Sequence, residues 1–366
     1  MKLLADRMSC IDASGIRKVF ALAAQLSDPV NLSIGQPDYD VDEAVKEVAV
    51  QQIRSGFNRY TQTWGVDELR TACSEYYQRT FGTPLENVMI TGGVSGGLFL
   101  ALTALVDPGD EVLLADPYFV MYKHLVNLLG GRPVAIDTYP DFKLTPDRIE
   151  AAITPRTKLL LVNAPSNPTG ITMTGDELQA IADTAEKRGI FVISDEIYES
   201  LTYDGVRASM AGRCERLLIL NGFSKNAAMT GWRIGYAAGP EAVIQAMNTL
   251  QQYTFVCAPS FAQMAAIKAL QADMTPKLEA YRRKRDLIYE GLRDLGFRVT
   301  KPGGAFYIFP EAPGGDGDAF VAKAIRNNLL VIPGSVFSDR ATNFRVSFAA
   351  EDKTIQRGLD ILKKLI

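Results

Sequence analysis

Short continuous apolar runs separated by longer amphipathic stretches are the feature that most limits what this chain can fold into. They read Val88-Met89-Ile90, Glu111 to Leu114, Val134 to Ile136, Lys158 to Val162, Phe191 to Ser194 and Leu217 to Leu220. A strand with one wet face alternates apolar and polar residues, whereas a run apolar throughout is buried on both faces. Helical patterns lie between most of these runs, for example over 175–188 and from a glycine turn after Ile90 to about Leu105. This rhythm predicts an α/β fold, a mostly parallel mixed sheet covered by helices. Upstream, a turn at Gly35-Gln36-Pro37-Asp38 precedes amphipathic helices over 42–55 and 66–80. Downstream, a charged amphipathic helix over 276–295 leads into a second α/β pattern. That pattern runs through Phe306 to Phe309, 318–328, Leu330 to Ile332 and Phe344 to Ser347. With 366 residues the chain suits two domains, with the boundary in or near the charged helix.

Several classes of function are disfavoured. Net charge is −3 with both signs scattered, so no basic stripe suggests nucleic acid. No apolar run reaches the ~18 residues of a membrane span, and residues 1–8 do not read as a secretory signal. The cysteines at 10, 73, 214 and 257 form no CxxC pair and suit free thiols in a reducing cytoplasm. The one histidine, His124, excludes a His-rich metal site and leaves little for His-dependent catalysis.

The chemistry is concentrated in Gly222-Phe223-Ser224-Lys225-Asn226-Ala227-Ala228-Met229-Thr230-Gly231-Trp232-Arg233-Ile234-Gly235. Burial and a cationic neighbour both disfavour the ammonium form of a lysine, which makes Lys225 a candidate nucleophile. A lysine that attacks an aldehyde, with Ser224 and Arg233 to grip a phosphate, matches the needs of pyridoxal 5'-phosphate (PLP). Other motifs add to this. Thr91-Gly92-Gly93-Val94-Ser95-Gly96-Gly97 follows a strand and opens a helix, so its backbone suits an anion, though a plain tight turn reads the same way. Phe119 follows a strand end, where an aromatic can stack on a planar ring or fill the core. Asn163-Ala164-Pro165-Ser166-Asn167-Pro168-Thr169-Gly170 fixes an amide between prolines. Asp195 ends a buried strand, where a carboxylate needs a partner; a protonated pyridine nitrogen or a helix cap would serve. Arg345 sits inside an apolar strand and needs an anion, either a substrate carboxylate or a structural acid.

Taken in order from Gly35 to Arg345, these motifs resemble the class I/II, fold-type I PLP-dependent aminotransferases, the family that includes aspartate aminotransferase. The resemblance covers most of the chain. It implies a large PLP-binding domain over 45–283 and a small domain built from 1–44 and 284–366. It implies that Lys225 forms a Schiff base with PLP and that Asp195 holds the ring nitrogen. Asn167 and Tyr198 would meet the phenolic oxygen, Phe119 the ring face, with Tyr122 nearby. Val94, Ser95, Ser224 and Arg233 would hold the phosphate, joined by Tyr60 from the other subunit of a homodimer. Arg345, with Gly35 and Asn167, would bind the substrate α-carboxylate. The implied reaction moves an amino group from an L-amino acid to a 2-oxo acid by a ping-pong mechanism.

The same residues would also serve a PLP-dependent β-lyase of the C–S lyase type. Gly93-Val94-Ser95-Gly96-Gly97 fits the GxSxG elbow of α/β-hydrolases, but that triad runs Ser, acid, His, and His124 follows Ser95 too soon for it. A PLP-sensing regulator would need an added DNA-binding domain, for which the chain has no room. Some relatives carry a lysine at the Ser95 position to grip a distal carboxylate, and others an arginine within the stretch matching Gln251 to Ser260; neither is here. Ile16, Tyr122 and Phe255 suggest apolar or aromatic amino acids, with Arg17, Arg54 and Arg59 as candidate distal anchors.

Overall fold

A computed structural model of the chain describes residues 3–13, 15, 16, 19 and 26–366. After a short strand β1 (Val30–Asn31), the chain builds a seven-stranded sheet. Its strands are β2 (Met89–Thr91), β3 (Glu111–Asp116), β4 (Arg132–Asp137), β5 (Thr157–Asn163), β6 (Phe191–Asp195), β7 (Leu217–Gly222) and β8 (Gly235–Ala238). The order is β2-β8-β7-β6-β5-β3-β4. Every pairing is parallel except those of β8, which is antiparallel to both β2 and β7.

The apolar runs become strands because each supplies two buried faces. Leu160, Val162, Val192 and Ile219 pack in one core cluster, while Leu159, Leu161, Ile193, Leu218 and Leu220 pack in another. Side chains alternate along a strand, so a continuous apolar run feeds a core on either side of the sheet. Strand β8 has no counterpart in the sequence reading. Glycine and alanine have weak strand preference, and Gly235–Ala238 is held in place by neighbours on both edges.

Helix limits follow local signals. Helix Gly175–Arg188 begins with a reciprocal capping box between Thr174 and Glu177 and ends at Gly189, whose φ is 69°. Helices Glu43–Arg54, Asp67–Phe81 and Gly93–Leu105 lie close to their expected spans. Helix Thr275–Asp294 does so as well.

Beyond that helix, β9 (Tyr307–Ile308), β10 (Leu329–Leu330), β11 (Ile332–Pro333) and β12 (Phe344–Ser347) form a smaller unit. β12 lies between β11 and β9, antiparallel to both. The N-terminal segment joins this unit: β1 pairs in parallel with β10, and Ser347 donates its N–H to the Leu32 carbonyl. Phe344 and Val346 enter the core beneath helix Asp352–Leu365, so Arg345 between them points the other way.

Candidate active site

The topology collects the chemistry at one sheet edge. The carboxyl ends of β2, β3, β5, β6 and β7 share that edge, and antiparallel β8 starts from it. The strand order departs in opposite directions from β3 and β5, the place where such sheets leave a crevice for ligands. A cavity of about 560 Å³ opens there. It is lined by Gly35, Val94, Ser95, Phe119, Asn167, Asp195, Tyr198, Ser224, Lys225, Arg233 and Arg345.

Lys225 donates a hydrogen bond from Nζ to the Gly35 carbonyl at 2.6 Å. Its amine lies 5.8 Å from the Tyr198 ring centre and 5.9 Å from that of Phe306. Burial, then the Arg345 charge, then that of Arg233 push its pKa down to about 8; Asp195 opposes them. Tyr39 fixes the backbone here, donating to the Lys225 carbonyl at 2.9 Å and that of Asn226 at 3.0 Å.

Asp195 is buried at the end of β6. Its carboxylate accepts from the Tyr122 hydroxyl at 2.7 Å and the Ile197 N–H at 3.2 Å, and caps no helix. Burial raises its pKa to about 6, with the Tyr122 bond working against that shift. Asn163 ties the neighbouring loop to it, donating to the Asp195 carbonyl at 2.9 Å and accepting from the Asn167 N–H at 2.9 Å.

Arg345 has no carboxylate partner among the described residues. It donates to Asn167 Oδ1 and to the Ser33 carbonyl, both at 2.9 Å. Its guanidinium carbon lies 4.4 Å from the Tyr307 ring centre and 4.7 Å from that of Phe337, and Nε is unpaired. A buried cation satisfied only by neutral oxygens favours an anion. Tyr307 also shares a 2.9 Å hydrogen bond with the Tyr198 hydroxyl.

The anion cradle is set by close backbone approach. Helix Gly93–Leu105 starts without a side-chain cap, which leaves its first N–H groups to a ligand. A Cβ on Gly235 would lie 2.7 Å from the Gly93 carbonyl carbon and 2.8 Å from the Val94 nitrogen. Arg233 follows the Thr230–Trp232 turn at φ 57°, donating to the Thr230 carbonyl at 2.9 Å and to that of Gly92 at 3.4 Å.

Some expected residues lie elsewhere. Tyr60 is 82% exposed and lines a separate crevice with Arg59. Phe255 does not line the cavity; it packs edge-on against Phe99 at 6.4 Å between ring centres. Arg54 and Arg59 do not line it either, and Arg17 lies outside the described residues. Ser95 and His124 line one cavity but share no hydrogen bond, as a hydrolase pair would. Sequence reasoning missed Tyr39 and Tyr307 and gave Asn163 no role. Asn163 stood in the quoted motif, whereas the two tyrosines carried no signal separating them from core aromatics.

These residues fit PLP. The amine suits its aldehyde, the uncapped helix start its phosphate, and the buried Asp195 carboxylate a ring nitrogen that carries a proton. Fold and site together define a PLP-dependent enzyme of the α/β type. The chain belongs to the class I and II aminotransferases, whose sequence model matches residues 27–362. It is 36% identical over 381 residues to aromatic-amino-acid aminotransferase 2 of Thermococcus litoralis, covering 99% of this chain and 98% of that protein. It is 38% identical over 387 residues to the aspartate/prephenate aminotransferase of Thermus thermophilus, covering 100% of this chain and 99% of the other. The structure of aspartate aminotransferase from Thermus thermophilus with maleate matches at a TM-score of 0.96 and 36% identity, over 100% of both chains. The protein is thus a PLP-dependent aminotransferase, and the relatives compared are aminotransferases rather than lyases.

Proposed function

We propose that this enzyme transfers the amino group of an L-amino acid to a 2-oxo acid, with Lys225 as covalent anchor of PLP and as the base that carries the Cα proton. The observation that supports this most is the Lys225 amine, with its pKa lowered to about 8, in one cavity with Asp195 and Arg345. When bound, PLP supplies an electron sink for the charge left at Cα. Asp195 keeps a negative charge where the ring nitrogen needs one, and Tyr122 holds that carboxylate in place. Asn167 and Tyr198 serve the phenolic oxygen, and Phe119 covers the ring face. Val94, Ser95, Ser224 and Arg233 hold the phosphate. Arg345 orients the substrate carboxylate, helped by Asn167 and the Gly35 backbone. The lowered pKa leaves part of Lys225 unprotonated near neutral pH, as a proton carrier requires.

The working unit is a homodimer, with Tyr60 reaching the partner's phosphate site. Tyr60, Tyr253, Phe255, Val256 and Ile53 are exposed. Their segments are tied together, since Ser260 bonds the Phe57 carbonyl and Gln263 bonds Thr61. An exposed apolar patch of this kind suits a protein partner. The large domain spans 45–283, and 1–44 with 284–366 form the small one. No helix among the described residues is long and apolar enough to cross a membrane. Four unpaired thiols suit the cytoplasm.

Visible absorbance of the PLP-loaded protein tests the reaction. The cofactor band should convert on adding L-glutamate or another amino acid and return with a 2-oxo acid. Lys225→Ala should abolish both changes, and full turnover by that variant would overturn the assignment.

A further inference from the structure

Helix Val120–Leu128 presents one face to the cavity. Met121, His124, Leu125 and Leu128 stand at i, i+3, i+4 and i+7, the spacing of a single helical stripe, and all line the cavity. Ile11 and Ile16 line it from the N-terminal segment. Tyr122 on the same helix turns to Asp195. At roughly 100° per residue, Tyr122 and His124 point about 200° apart. His124 therefore points away from the Tyr122–Asp195 side, and Leu125, three residues after Tyr122, lies between the two directions.

Among the described residues, that wall is apolar except at His124. Asp12 and Gln36 also line the cavity, but they are exposed, where water can serve them. His124 differs, because its Nδ1 is closed off from water and has no hydrogen-bond partner. An orphaned buried N–H is rarer and costlier than an unsatisfied acceptor. Of the two ring tautomers, the one with its proton on Nε2 is therefore favoured. That nitrogen is not among the buried unpaired atoms and makes no hydrogen bond within the described protein, so it is open to a ligand.

We infer that His124 is a specificity-determining residue that donates from Nε2 to an oxygen at the tip of the substrate side chain. The body of that side chain lies along Met121, Leu125, Leu128, Ile11 and Ile16. The substrate class is amino acids with an apolar, ring-sized body and a terminal oxygen, a phenol being the simplest case. A site built to hydrogen-bond such a group discriminates against the analogue that lacks it. The inference rests on the transamination reading of the same cavity.

The test uses PLP-loaded wild type, His124→Leu and His124→Gln, with two unreactive probes, 3-phenylpropanoate and 3-(4-hydroxyphenyl)propanoate. Calorimetric titration gives the two dissociation constants for each protein. Wild type should bind the hydroxylated probe roughly fivefold tighter, the effect of one neutral hydrogen bond. His124→Leu should lose that preference while its affinity for 3-phenylpropanoate holds, and His124→Gln, which keeps an N–H at a similar reach, should retain part of it. Equal binding by wild type, or a preference that survives in His124→Leu, overturns the role of His124. Conversion of the cofactor band by L-phenylalanine and L-tyrosine is followed alongside. A band that converts while the probe preference fails sinks the His124 role alone. A band that no amino acid converts sinks the transamination reading instead, and the probe comparison still decides what His124 does.

Discussion

Lys225 is a cation held where the fold disfavours cations, and its proton is linked to stability. Burial and two arginines lower its folded pKa to about 8, below its ordinary 10.5. Between those values the unfolded chain holds the proton and the native chain does not, so stability rises with pH across that window. Below about pH 8 both states are protonated and the burial cost is felt in full. Cofactor-free Lys225→Met should therefore melt higher than cofactor-free wild type at pH 7, by a margin that shrinks toward pH 10.5; identical melting curves at pH 7 would refute this. Asp195 has the opposite dependence. Its folded pKa is raised to about 6 from 3.8, so its burial is tolerated at low pH and costs stability as pH rises through 6. Arg345 is proposed to act on the substrate instead. Replacing its fork by Lys should lower kcat/KM about a hundredfold across substrates, because lysine cannot make paired parallel bonds to a carboxylate. The visible band of bound PLP should be unchanged in Arg345→Lys, and loss of that band would show that Arg345 serves the cofactor. Lys225, Asp195 and Arg345 were legible in sequence because each is polar within an apolar or glycine-rich run, and Asn167 because prolines frame it. Tyr307 was not, since an aromatic in an apolar run looks the same whether it packs a core or lies against a guanidinium; Tyr39, between Asp38 and Asp40, carries no local sign of its bonds to the Lys225 and Asn226 carbonyls.

Among elements, the start of helix Gly93–Leu105 and the start of β8 meet at the anion cradle with no space to spare. Gly235→Ala would push a methyl group into the Gly93 and Val94 backbone, which cannot rotate away. Overpacking of this kind costs about 1–3 kcal/mol. PLP should dissociate at least roughly tenfold more readily from this variant, as followed by absorbance on dilution. Unchanged cofactor retention would mean that the cradle is not where the phosphate sits. Thr174→Ala is the matching control. It removes the N-cap of helix Gly175–Arg188, away from the cavity, and should cost about 1 kcal/mol in denaturant unfolding with PLP retention intact. Helix Gly175–Arg188 was readable to the residue because its signals are local: a capping box at one end and glycine at the other. Strand β8 was not, because its small residues give little signal of their own and it is held by pairing with β7 and with β2, the latter far away in sequence.

At the scale of the whole molecule, Tyr60 is exposed and stands outside the cavity of its own chain. If it serves the partner's phosphate, two defective chains should repair each other. Lys225→Ala should be inactive alone and Tyr60→Ala weak in holding PLP. Mixed dimers should regain one intact site, with Lys225 from one chain and Tyr60 from the other. Activity of the mixture no greater than the sum of the separate variants would rule the exchange out. The sequence by itself determined the α/β class, the buried strands and the chemical identity of the groups at their ends. Those properties are carried by periodicity and residue type, which are local. Tertiary structure decided that these ends share one edge, that alternate residues of each run feed opposite cores, and that Arg345 has no acid beside it among the described residues. It also decided that His124 faces the cavity with one nitrogen closed off. Each of these depends on which strands and helices become neighbours, and that is set by burying surfaces far apart in the chain.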